Sequence, residues 1–224
     1  MAIQKTNSVF GTISRTIQAQ SKPLSIVFFC ALALVASSFA YKLWSAKRER
    51  AAQYDFSALM TEYETMSQDK NPEWDVLLQK FEKNYEKHSS SSLLPNYLSY
   101  KVRILLNQGK REQALATLDT IIAAVPGSVM LSLYEMERAL IQLDSADESV
   151  KAIGLNALIN LAHDENNKNR DSAQFYLGRY YWAKNDTDAA RTIWQQLVDE
   201  QHDEKLAPSP WLHYVQDKLN ITVV

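Results

Sequence analysis

From Lys47 to Leu219 the apolar residues of this chain recur with a helical period, and only short breakers interrupt it. That ladder limits the possible fold more than any other feature. Asn71-Pro72-Glu73 has the form of a helix start, with proline at the first helical position. A polar loop, Ser89–Ser92, lies ahead of Pro95. Gly109-Lys110 and Asn185-Asp186 are tight turns, Pro126-Gly127-Ser128 ends one helix and caps the next, and Ser209-Pro210 opens a last one. These breakers predict helices near 48–67, 73–87, 93–107, 111–124, 128–143, 147–163, 169–184, 187–201 and 209–219. Eight pair as four hairpins, and the ninth closes the end. A helix pair with a short turn cannot bury its apolar face alone, so pairs stack on one another as an α-solenoid. With five glycines and six prolines in 224 residues, the chain offers little for strands or phosphate-cradling loops.

The expected class is therefore all-α, with about four helix pairs and a C-terminal capping helix over 45–224. The 24 basic and 26 acidic residues balance to a net charge of −2, which argues against nucleic-acid binding. Cys30 is the single cysteine, so no intrachain disulfide or cysteine metal site exists. Val27, Phe28 and Phe29 precede it, which is not a lipoprotein pattern.

A segment at the front stands apart. Leu24–Tyr41 reads LSIVFFCALALVASSFAY and carries no charge. At 1.5 Å per residue it spans roughly 27 Å as a helix, close to the thickness of a bilayer core. Lys22 and Lys42 bracket it, and Tyr41 and Trp44 stand where an interfacial aromatic belt would. A single transmembrane helix over 23–44 is the expectation, placing the lipid bilayer along Leu24–Tyr41. Ser38-Phe39-Ala40 has the small residues of a signal-peptidase site, but the 23 residues before the run exceed a usual n-region. Residues 1–22 are basic and rich in Ser, Thr and Gln, and read as a disordered tail. Val9, Ile13 and Ile17 leave a short amphipathic helix or a presequence open. The charge count on the two sides is nearly tied and slightly favours a cytoplasmic carboxyl domain.

Two stretches carry a more specific spacing. In LGRYYWAKNDTDAARTIW, Leu177, Gly178, Tyr181, Ala190 and Trp194 put small residues where two helices would cross and aromatics beside them. From Pro95 to Pro126, Leu98, Leu105, Gly109, Ala114, Leu118 and Pro126 repeat the scheme, with Val102 in place of the small residue. Both resemble the 34-residue tetratricopeptide repeat. Between them lies a degenerate repeat, marked by Leu133, Met136 and Leu140 and then by Ile153, Ala157 and Leu161, with an insertion near Ser145–Ser149. The resemblance implies that the first helix of each pair lines a concave groove. On that alignment Arg103, Arg138 and Arg179 occupy equivalent positions and would stand in a row, with Phe175 and Trp182 flanking the last. Arginine beside aromatics suits peptide carboxylates and amphipathic segments. Glu135 and Asp171 are local acids that would compete for these arginines. The lysine and asparagine partners of a carboxylate-clamp repeat have no counterpart.

The order of tail, membrane helix and repeat domain, with KNDTDAARTIWQQLV and WLHYVQDKLNITVV at the end, resembles the ancillary Sec translocon subunit family. That resemblance implies a bacterial inner-membrane protein with one pass and a periplasmic C-terminal domain. It also implies the Sec translocon and a membrane-anchored periplasmic chaperone of the prolyl isomerase type as partners. A periplasmic repeat protein coordinating envelope assembly or division, freed by signal cleavage, is the alternative.

Catalytic constellations are missing from the sequence. His163-Asp164-Glu165 and His202-Asp203-Glu204 fall at predicted helix ends, and no two histidines stand one turn apart with a glutamate between them. Neither a Walker loop, a dinucleotide fingerprint nor a GxSxG elbow occurs. The sequence predicts a scaffold rather than an enzyme, with no cofactor and no metal.

Overall fold

The computed structural model describes the backbone of residues 3–200 and 208–219, and the side chains of 30–200 and 208–219. Among the described residues it is all-helical: α1 (Ile3–Ser67), α2 (Trp74–Lys87), α3 (Leu94–Asn107), α4 (Arg111–Ala124), α5 (Leu131–Leu143), α6 (Glu148–His163), α7 (Arg170–Ala183), α8 (Thr187–Glu200) and α9 (Leu212–Leu219). The chain divides into two compact units, Met1–Ala58 and Leu59–Val224.

The first unit departs from the expected tail, membrane helix and separate body helix, because α1 is continuous through all three. No glycine or proline lies between Lys42 and Ser67, and the Lys-Arg-Glu-Arg-Ala-Ala stretch from Lys47 is made of strong helix formers, so nothing stops the helix there. Among the described residues no helix is long and apolar enough to cross a membrane. The expected span Leu24–Tyr41 begins outside the residues whose side chains are described, as does the amphipathic pattern at Val9, Ile13 and Ile17.

In the second unit each helix packs chiefly on its neighbours in sequence, from α2 against α3 through to α8 against α9. The core is a chain of clusters. Leu98, Val102 and Leu105 of α3 meet Ala114, Leu118 and Ile121 of α4 and Tyr134 of α5. Met136 and Ala139 of α5 meet Leu158 and Ala162 of α6, Ala173 and Leu177 of α7 and Ile193 of α8. Phe175 of α7 meets Ala190, Trp194, Leu197 and Val198 of α8 and Val215 of α9. Burial is thus passed from one pair to the next, as stacking repeats require.

Two turns close by the same device. After α3 the Lys110 amide donates to the Leu105 carbonyl at 2.8 Å, and the Gly109 amide to Leu106 at 2.9 Å. After α7 the Asp186 amide donates to Tyr181 at 3.0 Å, and the Asn185 amide to Trp182 at 3.1 Å. This double bond pattern is the Schellman cap, and it needs a left-handed residue. Gly109 supplies it at φ 71° and Asn185 at φ 60°. Asn185→Gly is expected to leave the melting temperature equal or raised. Asn185→Ala should lower stability by about 1 kcal/mol, since a plain β-carbon is penalised in that region. Thermal melts of the two variants, with alanine at or above glycine counting against this cap, check it.

The middle repeat corrects the expected register. On α6 the buried face is Gly154, Leu158 and Ala162, one residue on from the expected Ile153, Ala157 and Leu161, and Ile153 is 56% exposed. Gly154 lies where a β-carbon would come 2.7 Å from the Ala139 carbonyl oxygen. Ala139, fully buried, is therefore the small residue at this crossing. Two helix starts also shift. Ser128 first makes a turn, its hydroxyl accepting from the Met130 amide at 3.2 Å, and Ser209 does the same for Trp211 at 3.3 Å. Hence α5 and α9 begin three residues later than the breakers suggest.

Candidate functional site

The residues at the helix crossings are packing residues. A β-carbon on Gly178 would fall 2.2 Å from Nε1 of Trp194 and 2.5 Å from its Cδ1, so the indole lies directly on the α7 backbone. Its Nε1–H donates to the Phe175 carbonyl at 3.3 Å. Glycine is thus required by close approach and not by a turn. Leu177, Ala190 and Trp194 are fully buried, and Tyr181 packs against both neighbouring clusters. Ala114 is fully buried at the corresponding place between α3 and α4. Pro126 is exposed, at the turn between α4 and α5.

The three arginines expected in a row do not share one environment. Arg103 is exposed, its guanidinium 5.2 Å from the Tyr100 ring. Beside it burial pushes the Glu137 carboxyl above its ordinary pKa, with the Arg103 charge pulling the other way. Arg179 is exposed, 5.7 Å from the Phe175 ring. Arg138 instead pairs with Asp119 of α4 at 3.0 Å, by charge alone, since its Nε–H has no hydrogen-bond acceptor. The reason is the register. Arg103 follows the buried Val102, and Arg179 follows Gly178, but Arg138 precedes the crossing residue Ala139. Two residues of offset turn a side chain by about 200° around a helix. Leu140 holds the equivalent position.

Phe175 and Trp182 do not flank an open groove either, because α9 covers them. Phe175 is buried, its ring stacked on Trp211 at 4.1 Å and meeting Tyr214 edge-on at 5.3 Å. Trp182 lies 5.5 Å from Trp194, with the Lys218 ammonium 5.5 Å above its ring. Polar bonds hold this closing segment: Ser209 donates to Asp171 at 2.7 Å, and the Trp211 indole donates to Ser172 at 3.0 Å. Asp171 is thus engaged away from Arg179. No local spacing signals this docking, since its partners lie some 36 to 39 residues apart.

Among the described residues no group of His, Cys, Asp and Glu is placed to hold a metal ion. His88 is buried and stacked on Tyr97, His163 ends α6 with its ring bonded to the Ile159 carbonyl, and His202 lies outside the described residues. A shallow cleft of about 480 Å³ lies at the turn edge beside Trp74, and its polar lining groups pair with one another: Asp75 accepts from Gln108 at 3.0 Å and Lys110 at 3.3 Å.

Residues 172–201 match the tetratricopeptide repeat family. No curated protein matches the chain. The match covers α8 and most of α7, the pair joined by Gly178 and Trp194, so the chain contains a tetratricopeptide repeat. Such a repeat is a protein-interaction scaffold, which sets the broad class while leaving the partner to be argued.

Proposed function

We propose that this chain is a membrane-anchored protein–protein interaction scaffold of the bacterial inner membrane. It passes the bilayer once through Leu24–Tyr41 and holds its repeats in the periplasm. There it acts as an accessory of the Sec protein-export translocon beside a membrane-anchored periplasmic chaperone. One observation carries the anchor. In the part of that run with described side chains, Leu32, Leu34, Val35 and Phe39 are each 55–72% exposed on α1. A row of large apolar side chains facing outward on an uncharged stretch is costly in water and favourable in lipid. The repeat match supports the scaffold, and the closing KNDTDAARTIWQQLV and WLHYVQDKLNITVV segments support the translocon family.

A reporter fused after Val224, active only outside the cytoplasm, is expected to be active. Activity of a cytoplasmic reporter in its place overturns the orientation. Intact mass of the mature protein should retain residues 1–40, and their loss would favour the released envelope coordinator. Crosslinking in mild detergent should recover translocon and chaperone components; recovering neither sinks the assignment.

A further inference from the structure

Directly after the apolar run, Lys42–Arg50 holds four cations, Lys42, Lys47, Arg48 and Arg50, against a single carboxylate, Glu49. Tyr41, Trp44 and Arg48 are spaced three and four residues apart, so they share one face of α1. The two rings lie 6.1 Å apart, and the Arg48 guanidinium lies 4.6 Å from the Trp44 ring. Both aromatics stay open, Tyr41 at 66% and Trp44 at 54% exposure. Glu49 points about 140° around the helix from Trp44, leaving that face without a carboxylate.

From this arrangement we infer that Lys42–Arg50 is a binding collar for the phosphate groups of anionic phospholipids, an inference that rests on the membrane reading above. Three observations select lipid over an acidic protein. The collar starts at the residue after the uncharged run, where the headgroup layer would begin. Side chains of a helix tilt toward its N-terminus, so cations that follow the run lean back toward the membrane, as Arg48 does in reaching the ring four residues earlier. Tyr and Trp rings suit the interface, where one edge is wet and the other apolar. The Trp44 face holds the Arg48 guanidinium in place and leaves its N–H edge for a phosphodiester, which accepts two such bonds.

The test reconstitutes the full chain in phosphatidylcholine vesicles with trace spin-labelled phosphatidylglycerol or spin-labelled phosphatidylcholine, and measures the motionally restricted fraction of each label. At low salt phosphatidylglycerol should associate at least about fivefold more strongly, the worth of one cation near a charged surface. Replacing Lys42, Lys47, Arg48 and Arg50 together by Gln should bring the two labels to parity, with the thermal melt of the repeats unchanged because these positions lie outside the second unit. Equal association in the unaltered chain overturns the collar while leaving the anchor standing. Loss of the unaltered chain from alkali-washed vesicles overturns the anchor and the collar with it.

Discussion

Trp194→Ala should lower the stability of the repeats by about 3–5 kcal/mol, the usual cost of truncating a fully buried tryptophan. For a chain of this size that amounts to a fall in Tm on the order of 10 °C. The indole is fully buried and touches two neighbouring helices at once. It covers Gly178 of α7, lies 5.5 Å from Trp182, and meets Tyr214 of α9 edge-on at 6.1 Å. Its removal opens a cavity at the junction and removes the second donor to the Phe175 carbonyl, which the α7 ladder also uses. In stacked repeats each interface supports its neighbour, so α9 should loosen together with the last pair. Circular dichroism melts read the overall loss, and hydrogen exchange over 209–219 reads the loosening. A melt within about 1 °C of the unaltered chain would mean that the α7–α8 crossing is not the keystone of this end.

The last pair was legible because its chemistry is local. Gly178, Ala190 and Trp194 are close in sequence, and a glycine facing an indole has few other uses on a helix. The breakers were legible for the same reason: Gly109 and Asn185 mark the ends of α3 and α7 through their own backbone needs. The middle repeat was harder. Its helices carry apolar residues on more than one face: Leu133, Leu140, Ala157 and Leu161 are partly buried while Met136, Ala139 and Leu158 form the core. A helix packed on both sides gives two overlapping stripes, and periodicity cannot choose between registers one residue apart. Gly154 was the missed signal, since a glycine inside a helix marks a close approach. Placing the crossing there would have moved Arg138 off the row with Arg103 and Arg179. The covering of Phe175 by Trp211 had no local signature, because it depends on how the chain returns after α8. The continuity of α1 past the apolar run had the opposite cause: composition separates that run from the body helix, but no glycine or proline lies between Lys42 and Ser67 to break a helix.

Gly178→Ala tests the crossing from the other side. On an ordinary helix this change gains about 0.5–1 kcal/mol, because glycine is the poorer helix former. Here it should instead cost about 1–3 kcal/mol, since the new methyl falls 2.2 Å from the Trp194 ring and one of the two must move. The ring has little freedom to yield, being fully buried with its N–H bonded to α7 itself. Repeating the substitution in a Trp194→Ala background removes the obstacle. There Gly178→Ala should become neutral or stabilising, and the double-mutant cycle should show a coupling of about 1–3 kcal/mol. Denaturant melts of the four proteins give the value. Equal penalties in the two backgrounds would mean that Gly178 is required by something other than the indole. A gain in both would mean that α7 and α8 do not approach this closely.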